Sequence, residues 1–548
     1  MRPGQKTDRR CRAGAGRRAV GVVVTMALCV AGLGACGGAS HQPVAHPAGS
    51  RASTPQTGLR WMVPTDGPAP TVVQENARPG TRAWRLPGPP DSSGGIARGP
   101  VEGYVGEQAV APGQSERIYV RAPGAHTVRV DIYRMGWYRG LGGRLIARSS
   151  RLPVRTQPPC AHRSLTGLTE CHWHPTLTFT VPQGLASGVY IAKLTARAAQ
   201  RDCLFVVREG RASPAPLLME LPTASYEAYN AWGGDSLYPG GARTVGVTGT
   251  SQGVEVSYDR PYDSITGAGQ FFARDVAAVR FLERYGYAAA YTTIESIDVD
   301  PAQAQGRRAI VDVGHSEYWS EGDAQALARA ADHGTSLLFL SSDTLAWRVR
   351  FAPATPASSE EGRVDHRIEG YKEHVAADPV HSPSSGAFAE LGASLTGSAY
   401  DGCITPRLAR PGPPTYRYYP WAPAAALRPA WLFAGTHVTA ATRIAGIVGY
   451  ELDQRTQDAP PGTTVVGGGT ATCMPGPGLS GHDAQSTLYS TTSGATVFAT
   501  GTLGWELALY PVRDASPDAP HVADARVVRM TMNVLAHAGV KANGSALG

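Results

Sequence analysis

The sequence predicts a protein of mixed class, an immunoglobulin-like β-sandwich followed by a parallel, doubly wound α/β domain. Three observations predict it. The chain has 548 residues, more than one ordinary core accommodates, so two or more domains are expected. Between Val101 and Glu209, short apolar or alternating segments are separated by turns bearing Pro and Gly. From Leu217 onward, apolar strand-like segments alternate with segments of helical periodicity.

The N-terminal elements come first. Hydrophobic residues make up 42% and charged residues 17%, a globular composition. The formal charge of +7 is concentrated at the start: residues 1–35 carry +6, leaving +1 for the rest. That excludes a general nucleic-acid binder. The basic start leads into "AVGVVVTMALCVAGL" and then "LGAC" at Leu33–Cys36. A charged region, an apolar run and small residues make an export signal over 1–35, not a structural helix. A Cys directly after Leu-Gly-Ala is similar to the lipobox of bacterial lipoproteins, where it becomes the lipid anchor. The alternative is ordinary cleavage with Cys36 incidental. Residues 36–60 are small, polar and Pro-rich and read as a flexible tether. The expected location is the outer face of the bacterial cytoplasmic membrane, tethered by lipid. Outside the cell disulfides are permitted, and Cys160–Cys171 and Cys403–Cys473 are the expected pairs, with Cys203 a buried thiol.

The sandwich is expected over 61–210, from "ERIYVRA", "HTVRVDIYR", "TLTFTV", "GVYIAKLTA" and "CLFVVRE". Nothing in it looks catalytic. The second domain is expected over 214–548, after the punctuation "REGRASPAP". "PLLMELP", "AAAYTTI", "RAIVDVG" and "TSLLFLSSD" read as strands. "ARDVAAVRFLERYG" reads as a helix stopped at Gly286. "SEGDAQALARAADHG" reads as a helix capped by Ser320 and stopped at Gly334. "RIAGIVGYE" and "GATVFATGT" are later strands and "VVRMTMNVLAHAG" the closing helix.

Ligands in an open α/β sheet bind at the carboxyl ends of its strands. The residues that follow the strands are Tyr226, Tyr229, Tyr238, His315, Glu317, Asp343 and Glu451, which should converge on one edge. Three chemistries can use such a set. A serine hydrolase would use Ser316 in "GHSEY", but the tight nucleophile turn needs a small residue where Tyr318 stands. An amidotransferase-type thiol site needs a Cys at a strand–helix elbow, and none is there. A hard-donor metal site is the third. Phenols titrate near ~10, yet a Lewis-acidic ion can hold them as phenolates. Phenolates with a carboxylate suit ferric iron. The opposing structural reading is that Tyr and Trp fill a half-buried rim, each hydroxyl satisfied by backbone.

Particular motifs then carry a resemblance. "DIYRMGWYRGLGGRLI", "SYEAYNAWGGDSLY", "VSYDRPY", "VGHSEYWS", "AGIVGYELD", "STLYSTTSGATVFATGT" and "NVLAHAG" occur in order over about Gly80 to Gly539. They resemble segments of the N,N-dimethylformamidase large-subunit family. The resemblance implies an amidohydrolase with one iron held by two tyrosines and a glutamate, in an amidotransferase-like (flavodoxin- or Rossmann-like) three-layer α/β domain. It places Glu317 as the carboxylate ligand and Tyr238 as one tyrosine ligand. Tyr229 is the other, with Tyr226 as its rival. It makes His315 an outer-shell or acid–base group, and sets Glu451 and, more weakly, Lys372 near the substrate. Where the family pattern has Asn after a strand, this chain has Asp343. An amide donates a hydrogen bond to a developing oxyanion, and an ionised carboxylate does not. The expectation is therefore an iron (Fe3+)-dependent hydrolase of an amide-type C–N bond, acting on a small amide other than dimethylformamide or on a cell-envelope component. The competing expectation is a non-catalytic cell-surface binding protein with a degenerate site.

Overall fold

The computed structural model describes residues 58–87, 99–210, 214–240, 246–353, 366–381, 384–408, 415–474, 481–512 and 519–543. The export signal, Cys36 and the tether up to 57 lie outside the described residues.

The N-terminal part is built on two sheets. The larger runs in the order Leu59–Trp61, Gly143–Ser149, Thr127–Met135, Gly188–Ala196, Ala199–Val207 and Ala109–Val110. The smaller comprises Pro175–Thr180, Ser115–Arg121 and Glu102–Val105. The first strand starts at Leu59, inside the segment expected as tether. Leu59 and Trp61 lean on the apolar core, which draws the chain into the sheet.

Strand alternation shows what each face covers. On Gly188–Ala196, Tyr190, Ala192 and Leu194 point into a core with Ile118, Val120, Phe179 and Phe205. Val189 and Ile191 point the other way, into a core with Leu217, Phe271, Val276 and Phe281. The large sheet is thus buried on both faces, which is why "GVYIAKLTA" reads as nearly continuous apolar sequence.

The C-terminal part is organised by a nine-stranded sheet. Five strands are parallel, in the order Ala289–Thr293, Leu217–Leu221, Ala309–His315, Ser336–Ser342 and Thr496–Ala499. The sheet then continues antiparallel through His482–Ser490, Thr464–Ala471, Tyr419–Pro423 and Ile444–Val448. Helix Val276–Arg284 covers one face and helix Glu321–Asp332 the other. Both had been legible: Ser320 caps the second by accepting a hydrogen bond from the Asp323 N–H. Gly334 follows it at φ 95°, in the left-handed region that glycine tolerates. The segment "RIAGIV" forms a strand, Ile444–Val448, as expected. Its strand lies at the far edge of the antiparallel extension, not among the parallel strands.

The strand order reverses between Leu217–Leu221 and Ala309–His315, each of which pairs in parallel with a different outer neighbour. Chains leaving these two adjacent strands in opposite directions open a crevice at their carboxyl ends. Two disulfides are formed, Cys160–Cys171 and Cys403–Cys473, and Cys203 is a buried thiol. Among the described residues, no helix is long and apolar enough to cross a membrane.

Candidate metal centre

Two segments leave the crevice strands and supply its donors. After Leu217–Leu221 comes the short helix Thr223–Ala228, and Tyr229 sits at its C-cap. A loop then returns to Tyr238, closed by the Leu237 N–H donating to the Ala228 carbonyl at 2.9 Å. After Ala309–His315, the chain presents Glu317 and enters Tyr318–Ser320. The Glu317 N–H donates to Ser225 Oγ at 3.0 Å, which ties the two segments together.

The three expected ligands meet. Tyr229 Oη lies 2.8 Å from Tyr238 Oη and 2.7 Å from Glu317 Oε2. Tyr238 Oη donates to Glu317 Oε1. The two phenol rings stack with centroids 4.4 Å apart. Tyr318 stands edge-on to both rings at 6.4 Å. Lys372 Nζ lies 3.4 Å from the centroid of the Tyr238 ring, a cation–π contact.

Tyr226 does not join them. Its ring packs against Tyr262 at 6.4 Å and into the core shared with the large sheet. Helix Thr223–Ala228 ends between the two tyrosines, so Tyr226 stays on a core-facing turn while Tyr229 turns into the crevice. Ser316 is no nucleophile either. It is fully buried, and its Oγ donates to Asp312 Oδ1 at 2.6 Å.

A second group adjoins the first. His315 Nε2 lies 2.7 Å from Glu451 Oε2, 3.3 Å from Glu317 Oε2 and 3.6 Å from Asp343 Oδ2. Glu451 arrives on a short strand, Glu451–Gln454, paired with Ala399–Ile404 rather than with the parallel sheet. Asp343 follows Ser336–Ser342 and is held by its N–H donating to Asp453 Oδ1 at 2.7 Å. So Tyr229, Tyr238, His315, Glu317, Asp343 and Glu451 share one pocket, and Tyr226 alone of the expected set is elsewhere.

The electrostatics of the pocket follow from burial. Burial, and then the Glu317 carboxylate, push the phenols of Tyr229 and Tyr238 well above the usual tyrosine range. Burial alone would depress the His315 imidazolium, but Glu451, Asp343 and Glu317 outweigh it and raise it well above the ordinary histidine value. Burial and the nearby Glu317 raise Asp343.

The donor set fits a hard cation. Two phenol oxygens and the two oxygens of Glu317 stand with neighbouring separations that include 2.7 and 2.8 Å. An ion with bonds of ~2.0 Å places adjacent octahedral ligand atoms about 2.8 Å apart. The protons now shared among these oxygens occupy the place of the charge such an ion would bring, and an ion would reverse the upward pull on the phenols. His315, Glu317 and Asp343 also each offer a ligand atom within 4.8 Å of the others.

One residue with a part in this geometry carried no signal of its own in the sequence. Arg260, in "VSYDRPY", is buried under the Tyr229–Tyr238 loop and donates to its backbone. Nothing in the spacing of the motif singles out this arginine.

Fold and pocket together define an α/β protein with an oxygen-donor centre where its parallel strands end. The family model of the N,N-dimethylformamidase beta subunit-like, C-terminal domain matches residues 129–518. The chain therefore belongs to that family, whose name suggests a hydrolase-type function. The match begins inside the strand Thr127–Met135 and so includes much of the large N-terminal sheet. No curated protein matches the chain.

Proposed function

We propose that this protein is an exported, lipid-anchored, iron-dependent hydrolase of an amide-type C–N bond, with a substrate other than dimethylformamide. The observation that carries the reading is the oxygen triangle of Tyr229, Tyr238 and Glu317 at the ends of two adjacent parallel strands. Its chemistry suits Fe3+. Lewis acidity at an amide carbonyl is what the ion supplies when bound.

The remaining groups act around that point. Glu451 Oε2 faces His315 Nε2 at 2.7 Å, where a proton can be kept for the departing amine. Asp343 presents a carboxyl where an amide side chain would polarise a carbonyl; once ionised, it accepts hydrogen bonds from the substrate's N–H groups. Lys372 covers the outer face of Tyr238 and limits water there. Supporting the fold side of the reading, the two N-terminal sheets suit an immunoglobulin-like sandwich, and the parallel order an amidotransferase-like domain. Lipidation at Cys36 after an export signal over 1–35 would put the site at the outer face of the cytoplasmic membrane, near small amides and envelope components.

A second reading, a binding protein with a degenerate site, draws on Asp343. The test is turnover of a panel of primary, secondary and acyl amides by iron-loaded and chelator-stripped protein. Amine release that depends on iron supports the hydrolase. Saturable binding of an amide with no amine release in either form supports the binding protein.

A further inference from the structure

The two tyrosines sit at the ends of a loop whose own conformation sets the distance between them. That loop runs over a buried guanidinium. Arg260 is 1% exposed. Its Nε donates to Glu227 Oε1 at 2.7 Å, just before Tyr229. Its Nη2 donates to the Asn230 carbonyl at 2.7 Å, just after it. Its Nη1 donates to the carbonyls of Trp232 and Asp235 at 3.3 and 3.1 Å. One planar group thus reaches four acceptors spread across the chain between 227 and 235. Asn230 completes the brace, donating to Glu227 and to the Pro261 carbonyl and accepting from the N–H groups of Trp232 and Asp263.

We infer that Arg260 is a positioning residue for the tyrosine pair: its fork fixes the loop so that both phenol oxygens face Glu317. The inference rests on the metal reading above. It adds a residue that touches neither the donors nor a substrate. Only arginine meets the need. Its donors lie in a rigid plane and its charge stays on when buried, whereas a lysine ammonium offers three donors at one point. Without Arg260, three loop carbonyls would lose a buried donor and Glu227 would keep only Asn230, and the loop would move to reach water. Movement of an ångström at Asn230 or Asp235 is passed directly to Tyr229 and Tyr238. Glu227 is paired with the same group at 2.7 Å.

The test uses full-length iron-loaded protein. Phenolate bound to ferric iron absorbs visible light, so the band reports how the two oxygens meet the ion. Arg260→Lys and the isosteric Glu227→Gln are compared with wild type by visible spectrum and by iron dissociation constant, with far-UV circular dichroism as the check on folding. Arg260→Lys is expected to shift or broaden the band and raise the dissociation constant at least tenfold. Glu227→Gln is expected to move both in the same direction by less. If Arg260→Lys does not fold, Glu227→Gln decides. Folded variants with the wild-type band and a dissociation constant within twofold overturn the inference while leaving the metal reading intact. A wild-type protein that takes up no iron and shows no band overturns both.

Discussion

Asp343 has a backbone φ of 55°, in the left-handed region. Most side chains clash there, and Asn and Asp are the non-glycine residues that adopt it most readily. The position therefore admits either the amide of the family pattern or the carboxylate of this chain with the same backbone. The difference lies in chemistry alone: the amide donates to a carbonyl oxygen at any pH, and the carboxyl only accepts once it is ionised, which burial and Glu317 oppose. Asp343→Asn is expected to fold as wild type and to raise amine release from dimethylformamide by about 100-fold, the usual weight of one oxyanion donor. Release assayed with saturating iron checks this. No gain would mean that another part of the pocket excludes the small amide. At the same scale the sequence was most informative. Six of the seven candidate donors share a pocket because each follows a strand that ends at one edge. Tyr226 stood as a rival because the resemblance left open which of two tyrosines three residues apart is the ligand. The sequence does not say that the helix stops between the two tyrosines.

At the scale of elements, the motif "DIYRMGWYRG" joins the two halves of the molecule. Arg134, on the strand Thr127–Met135, pairs with Glu283 on the helix Val276–Arg284 at 2.6 and 2.9 Å. Both side chains are fully buried. Tyr291 Oη and Asn76 Nδ2 also donate to Glu283, and Arg134 also reaches Tyr138. Removing one partner strands the other charge in the interior. Glu283→Ala should therefore cost about 3–5 kcal/mol in urea unfolding. A second element answers to pH. Burial pushes the Asp378 carboxyl up, but the Arg350 fork and the hydrogen bonds from Ser385 and Val380 outweigh it and hold it well below the usual range. Its contribution to stability is present above the unfolded aspartate value of about 4 and is lost as pH falls through the depressed folded value. Unfolding followed from pH 5 to pH 2 should be steeper in wild type than in Asp378→Asn. The helices and central strands were legible because their periodicity and caps agree with their packing. The place of Ile444–Val448 in the sheet was not legible, because an apolar run reads alike in a parallel core strand and in a buried edge strand.

The whole molecule is more integrated than a two-domain sequence pattern suggests. The described residues belong to one compact unit, Pro55–Gly548, and one apolar core takes residues from both halves. Met135, Val189, Ile191 and Val206 from the large sheet meet Leu217, Val276 and Phe281 beyond the boundary at 211–213. A sandwich read as a detachable module would expose that face to water. A chain starting at 214 is accordingly expected to be insoluble or to lack cooperative unfolding, as read by circular dichroism. A soluble fragment with a sharp transition would contradict it. The sequence carried one sign of this contact, the nearly continuous apolar run "GVYIAKLTA" where a strand of a free sandwich would alternate, but it did not say what the second face meets. The central claim is that the pocket takes iron through two phenolates and a carboxylate. The most direct measurement is the iron content and visible spectrum of the purified protein beside its Tyr229→Phe/Tyr238→Phe variant. The account predicts about one iron per chain with a visible band in wild type, and in the variant no band and iron affinity reduced by at least about tenfold. Colourless wild-type protein, or a variant that keeps both the iron and the band, would contradict it.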